Sequence, residues 1–152
     1  MLLAEKFGMY YIDENNDKVL PYIIHRTSMG CYERTLALLI EKYAGALPTW
    51  MAPEQVRFLP VTERAVDYCN ALAKNLEMEG FRVTVDAPNE KLGKKIREGQ
   101  IEKVPYMLVV GDRDMENGTV SPRHRAEGDL GAMDFADFAK ILKEVVDTKA
   151  KK

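Results

Sequence analysis

Residues 56–86 read V-R-F-L-P-V-T-E-R-A-V-D-Y-C-N-A-L-A-K-N-L-E-M-E-G-F-R-V-T-V-D, and this stretch decides the fold class. Two short apolar runs flank a longer segment with helical spacing, so the predicted order is strand, helix, strand at Val56–Val61, Glu63–Glu79 and Arg82–Asp86. Thr62 is the expected N-cap of the helix. Two strands joined through a helix are typical of parallel pairing, which makes an α/β protein the first prediction.

The same alternation continues towards the C-terminus. The predicted elements are a helix from about Lys91 to Glu102, a buried strand Tyr106–Val110, a turn, a strand near Thr119–His124, and a helix Phe135–Val146 capped by Asp134. The sequence Asn117-Gly118-Thr119 is interpreted as a turn rather than a glycan site, since Asn-Gly favours one. These elements together predict a mixed, largely parallel sheet flanked by helices.

The N-terminal third has a different organisation. Strands near residues 10–12 and 19–24 predict a hairpin, and apolar positions at helical spacing predict a helix from Tyr32 to Tyr43 that ends at Gly45. Residues 46–53 contain two prolines without periodicity, which indicates a stiff connector. We therefore expect two domains, residues 1–50 and 51–152.

Composition restricts the class of protein. The chain has 152 residues, of which 46% are hydrophobic, enough for one ordinary core. Its formal net charge of −2 supplies no global attraction for nucleic acid, so any RNA contact must come from a local basic surface. Cys31 and Cys69 do not have the paired spacing of metal-binding cysteines, and a reducing cytoplasm is the expected location. The sequence has no run of about 18 apolar residues, so no membrane segment is expected.

The stretch Ile24–Ile40, I-H-R-T-S-M-G-C-Y-E-R-T-L-A-L-L-I, sets a histidine, a glycine and a Glu-Arg pair at the start of the predicted helix. It resembles the third signature motif of class II aminoacyl-tRNA synthetases. The pattern H-R-x-x-x-G-x-x-E-R, followed by A-G-x-x-P-x-W-x-A-P, is similar to that of bacterial-type threonyl-tRNA synthetases. The similarity continues in order through residues 89–98, 103–112 and 129–131. The resemblance implies a class IIa anticodon-binding domain, preceded by a hairpin and helix remnant of the class II catalytic domain.

The same resemblance implies the functional residues. His25 corresponds to one ligand of an active-site zinc, and Arg34 to the ATP-contacting, catalytic arginine of motif three. Asn89, Asp114 and Arg123 match contacts to the anticodon of threonine tRNA. Asp114 stands where the family commonly carries Glu, so the shorter side chain is expected to weaken this contact or to recruit a water.

The whole enzyme of such a family uses ATP and Mg²⁺ to activate threonine and then charges its tRNA, and it is a homodimer. Because motifs one and two and the other zinc ligands are not in this sequence, we expect the chain not to catalyse the reaction alone and to bind no cofactor tightly. A free-standing nucleic-acid-binding or accessory module descended from a synthetase remains an alternative, and a small α/β enzyme with a site at the carboxyl ends of its strands is a third.

A local basic surface is also predicted. Between Glu90 and Arg125 there are eight basic and six acidic residues. Lys91, Lys94 and Lys95 fall within about one helical turn, where their ammonium groups could track an RNA backbone.

Overall fold

A computed structural model describes residues 2–24, 26, 30–87 and 90–151. The chain divides into two compact units, Met1–Leu36 and Ala37–Lys152. The helices are α1 (Leu2–Lys6), α2 (Tyr32–Tyr43), α3 (Arg64–Met78), α4 (Leu92–Ile101), α5 (Asp112–Asn117) and α6 (Phe135–Asp147). The strands are β1 (Tyr11–Ile12), β2 (Lys18–Val19), β3 (Val56–Pro60), β4 (Val83–Val85), β5 (Tyr106–Val110), β6 (Thr119–His124), β7 (Gly128–Asp129) and β8 (Met133–Asp134).

The first unit contains α1 and the predicted hairpin. Its strands β1 and β2 pair antiparallel, so the hairpin is confirmed, although both strands are shorter than predicted. The Asp13 carboxylate organises the turn by accepting hydrogen bonds from the backbone amides of Asn15 (2.8 Å) and Asp17 (2.9 Å). Helix α2 has the predicted bounds and ends before Gly45, whose φ of +78° suits a glycine. Its described residues include no buried side chain.

The second unit is built on one sheet with strand order β4-β3-β5-β6-β7, and β8 pairs with β6. Strands β4, β3 and β5 are parallel to one another, whereas β6 lies antiparallel to β5 and pairs antiparallel with β7 and β8. The predicted mixed α/β sheet with flanking helices is therefore confirmed. The parallel part comes from the two strand–helix–strand connections, through α3 and through α4.

Helices cover both faces of this sheet. On one face, side chains of α3 and α6 pack against β3 and β5 in the larger core, around Phe58, Leu108 and Phe138. On the other face, Leu92 and Ile96 of α4 pack against a second cluster of Leu59, Val104 and Met107. We call this second side the α4 face. Its existence explains why β3 and β5 are apolar at nearly every position.

The segment before β3 is fixed to the amino end of the sheet. Gln55, which is 1% exposed, donates from Nε2 to the Thr49 carbonyl (3.0 Å) and accepts from the Arg82 amide through Oε1 (3.0 Å). The Arg82 guanidinium donates to the carbonyls of Ala52 (2.8 Å) and Trp50 (3.0 Å). Pairing buried polar groups in this way avoids the penalty of leaving them unsatisfied.

Two local predictions were wrong. Thr62 does not cap α3: its hydroxyl donates to Asp112 Oδ1 (2.9 Å), and the N-cap position is Glu63, which makes no side-chain capping bond. The segment predicted as a turn between β5 and β6 contains helix α5, which ends at Gly118 with φ +70°. By contrast, Asp134 caps α6 as predicted, accepting a hydrogen bond from the Ala136 amide at 2.8 Å.

Candidate nucleic-acid interface

Strand β6 presents a polar strip on the α4 face. Its residues alternate between half-buried and buried, so Thr119, Ser121 and Arg123 point to one side of the sheet, away from the buried side chains between them. Ser121 is paired with Val109 and Arg123 with Met107. Directly paired residues share a face, and Met107 belongs to the cluster under α4. We call these three side chains the β6 strip.

Arg123 has hydrogen-bonding capacity to spare. Its Nη1 lies 3.3 Å from Asp129 Oδ2, and its side chain is 29% exposed. Its Nε is shielded from solvent and has no hydrogen-bond partner among the residues that the structure describes. A guanidinium carries five N–H donors in a fixed fork, and a buried donor without a partner is unfavourable by about 1–3 kcal/mol. An added acceptor can therefore bond to the exposed part of the Arg123 guanidinium, whereas the shielded Nε is reached only if the side chain moves.

Asp114 lies beside this strip, because its carboxylate is bonded to it. Oδ2 accepts from the Gly111 amide (2.9 Å) at the start of α5, whereas Oδ1 accepts from the hydroxyls of Thr119 (3.2 Å) and Ser121 (3.4 Å). Successive residues on one face of a strand are about 7 Å apart, so the carboxylate and the Arg123 fork share one small surface. The structure thus brings together two of the three residues predicted to contact the anticodon.

The three predicted phosphate-contacting lysines do not form one exposed row. Lys91, which immediately precedes α4, is exposed, and Lys94 is 55% exposed with Nζ 2.6 Å from Glu90 Oε1. Lys95 is only 3% exposed, and its Nζ donates to the Asp86 carbonyl (2.7 Å) and, at 3.5 Å, to that of Pro60. The helical repeat turns Lys95 towards the sheet together with Gly99, which is why the prediction of an exposed ammonium there was wrong.

The remaining predicted positions are scattered or lie outside the described residues. Arg34 is an exposed residue in the first turn of α2. His25 and Asn89 fall outside the residues that the structure describes. Within the described ranges, no group of three or more His, Cys, Asp or Glu side chains is arranged to hold a metal ion. A zinc site needs three or four ligands, so His25 would require further ligands to hold the metal.

The two cysteines differ in environment. Cys31 is exposed and Cys69 is buried in the larger core, and both are free thiols. Burial raises the pKa of the Cys69 thiol to about 12, an effect that the positive charge of Lys95 opposes in part. The Cys69 thiol is consequently neutral near pH 7 and acts as a core side chain.

Sequence reasoning missed Ser121 and Asp129, which hold Asp114 and Arg123 respectively. The sequence T-V-S-P-R-H over residues 119–124 could have indicated Ser121. Half-buried and buried residues alternate along this strand, so Ser121 lies on the same face as Arg123. Strand β7 has only two residues and carries no such signal.

Along the described residues, no helix combines the length and apolarity needed to cross a bilayer.

Relatives of this chain are found both by sequence and by structure. The profile of the family described as "Anticodon binding domain" matches residues 55–145, which include all strands of the six-stranded sheet and most of α6. Threonine--tRNA ligase of Clostridium perfringens is 55% identical over 146 residues, which are 95% of this chain and 23% of that protein. Threonine--tRNA ligase of Acetivibrio thermocellus is 48% identical over 147 residues, again covering 23% of its length.

Among solved structures, the RNA binding domain of threonyl-tRNA synthetase from Cryptosporidium parvum Iowa II is similar with a TM-score of 0.73 and 30% identity. The match covers 94% of this chain and 36% of that one. The chain thus spans 23% of the length of the curated bacterial relatives described above. The resemblance read from the sequence motifs is confirmed. Since the matched profile covers more than half of the residues, the chain belongs to the anticodon-binding domain family.

Proposed function

We propose that the chain recognises the anticodon loop of threonine tRNA through the β6 strip and Asp114. The observation that carries this proposal is the partly exposed Arg123 guanidinium on the α4 face, beside the strip that holds the Asp114 carboxylate. Sequence-specific RNA recognition relies on side chains that reach the exposed edges of unstacked bases. Arg123 supplies donors and Asp114 supplies acceptors, so the pair suits a base that offers both kinds of group.

In this proposal Asn89 is the third base contact, as the family resemblance implies. Lys91 and Lys94 are the phosphate contacts, whereas the buried Lys95 acts within the fold. Lys94 is already engaged with Glu90, so its contribution to backbone binding is expected to be modest. The interface therefore has few phosphate contacts, and its affinity should depend mainly on base recognition and only weakly on salt.

The wider proposal concerns the whole protein. We infer that residues 1–50 are the end of a class II catalytic domain and residues 51–152 the anticodon-binding domain of a cytoplasmic, homodimeric threonyl-tRNA synthetase. That enzyme would use ATP and Mg²⁺ to form threonyl-adenylate, with Arg34 contacting ATP and His25 serving as a zinc ligand. The names of the similar proteins and the motif-three pattern support this inference. This chain alone is expected to bind RNA without charging it.

The decisive test compares Arg123→Ala with the parent chain in binding two hairpins of equal length. One carries the threonine anticodon loop, and the other carries the same loop bases in scrambled order. At low ionic strength, calorimetry should show that Arg123→Ala weakens binding of the cognate hairpin by about 1–3 kcal/mol and leaves the scrambled one nearly unchanged.

Arg64→Ala is the matched control, because Arg64 is an exposed arginine on α3, which packs on the opposite face of the sheet. It removes the same charge and should preserve the preference for the cognate loop. Equal affinity of the parent for both hairpins, or an Arg123→Ala variant that keeps the full preference, would refute the proposed function.

A further inference from the structure

The sequence Asp129-Leu130-Gly131 forms a turn next to the β6 strip, and the proposed function gives it no role so far. Asp129 of β7 is paired directly with Arg123 of β6 in the antiparallel ladder. Directly paired residues place their side chains on the same face, with Cβ atoms about 5 Å apart. The Asp129 carboxylate is therefore the acid nearest in the sheet to the Arg123 fork.

The two oxygens of this carboxylate have different partners. Oδ1 accepts a hydrogen bond from the Gly131 amide (2.9 Å), and Oδ2 contacts Arg123 Nη1 (3.3 Å). Gly131 has φ +80°, a conformation that other residues rarely adopt. The Leu130 amide donates to the Pro122 carbonyl at 2.9 Å, and its side chain packs against the larger core. The turn thus fixes the carboxylate, and the carboxylate holds one end of the guanidinium.

We propose that Asp129 is a positioning residue for RNA recognition: it orients the Arg123 fork before RNA binds, with the Gly131 amide holding the carboxylate in place. This inference rests on the proposed function. A guanidinium recognises a base edge through two parallel bonds only when its plane is correctly set. Anchoring Nη1 to Asp129 fixes that plane and leaves Nη2 and the second N–H of Nη1 free to donate, so less side-chain freedom is lost on binding.

A purely structural role would have a different signature. Asp129 is 58% exposed, and exposed ion pairs contribute little to folding stability. A purely electrostatic role would have the opposite sign, because removing a negative charge next to a polyanion strengthens binding to every RNA. Loss of the cognate preference without loss of the fold is expected only if Asp129 acts through Arg123.

The experiment measures the affinities of Asp129→Ala, Asp129→Asn and the parent for the cognate and scrambled hairpins. Asp129→Ala should lower the ratio of cognate to scrambled affinity by about tenfold, while its thermal midpoint stays close to that of the parent. In the parent chain Gly131 and Arg123 bond to different oxygens of Asp129, and Asp129→Asn replaces one of these oxygens by an NH₂ donor, so the affinity ratio of this variant should fall between those of the parent and Asp129→Ala. Glu116→Ala, which removes an exposed acid from α5, is the charge-matched control and should leave the ratio unchanged.

A double variant separates the outcomes. In the Arg123→Ala background, Asp129→Ala should have no further effect on the ratio, since the side chain that it positions is gone. If the parent prefers the cognate hairpin and Arg123→Ala abolishes that preference while Asp129→Ala retains it or binds both hairpins more tightly, the positioning role is refuted and the proposed function stands. If the parent has no preference at all, both inferences fail.

Discussion

Helix α4 provides a sensitive test of the packing beneath the candidate interface, because one of its glycines is tightly packed and another is open. A methyl group added to Gly99 would lie 2.5 Å from Met107 Sδ and 3.4 Å from its Cγ, in the cluster where Met107 is 1% exposed. The same addition at Gly93, in the first turn of the helix, meets no described atom within 4 Å. Gly93→Ala and Gly99→Ala therefore make the same change at an open and at a packed position of α4.

The expected magnitudes follow from two opposing effects. Alanine is more favourable than glycine in a helix by about 0.5–1 kcal/mol, which should appear in full as increased stability of Gly93→Ala. Gly99→Ala gains the same amount but forces Met107 to move within a filled core, and overpacking of this kind costs about 1–3 kcal/mol. We expect Gly99→Ala to be less stable than Gly93→Ala by about 1–3 kcal/mol.

Urea unfolding followed by circular dichroism measures both variants, with an unchanged m-value as the check that the compactness of both states is preserved. Met107→Val removes the sulfur atom, so in that background Gly99→Ala should become about as favourable as Gly93→Ala. If Gly99→Ala stabilises the parent chain as much as Gly93→Ala does, α4 does not lie against β5 in the described manner, and the surface assigned to the β6 strip must be redrawn.

Two further expectations concern stability. Asp134→Ala should reduce the unfolding free energy by about 1 kcal/mol, because it removes the N-cap of α6. Asp134→Asn retains an acceptor oxygen and should be more stable than Asp134→Ala. Equal thermal midpoints of the two variants would exclude a capping role. Burial raises the Cys69 pKa from 9.0 to about 12, so the stability contributed by the neutral thiol is complete below pH 9 and is lost as pH rises towards 12. The unfolding free energy, measured with urea at pH 8 and at pH 10, should therefore fall by about 1 kcal/mol more in the parent and in Cys31→Ala than in Cys69→Ala. Equal decreases in all three proteins would contradict the raised pKa of Cys69.

Elements with strong local signals were predictable from sequence. The segments that form β3 and β5 are short apolar runs, and the segment that forms α6 has apolar residues at helical spacing after a capping Asp. Each of these elements lies near its predicted position. Helix α5 was missed because six residues with a single apolar one, Met115, are too few to show periodicity, and its start depends on the Asp114 bond to Gly111. Thr62 could serve as a cap locally, but a distant carboxylate on Asp112 binds its hydroxyl instead.

The candidate interface was predictable only in part, because its geometry depends on contacts between distant parts of the chain. The family resemblance identified Asp114 and Arg123 as candidates, but their proximity depends on the β5–β6 register and on hydroxyl bonds from β6 to Asp114. Lys95 was instead assigned a surface role that its position in the fold excludes. A lysine beside two others suggests a solvated row, yet its orientation is set by the packing of α4 on the sheet and by carbonyls more than eight residues away in sequence.

The resting partners of Asp114 have a consequence for how long a complex would last. Its carboxylate already accepts three hydrogen bonds, and two oxygens offer about four acceptor positions in all. An incoming nucleotide must then take the vacant lone pair or displace the Ser121 hydroxyl, whose 3.4 Å bond is the longest of the three. Such a substitution yields little net free energy, because one bond replaces another. A contact of this kind favours rapid dissociation while still penalising a wrong base, so the proposed recognition would be selective and short-lived.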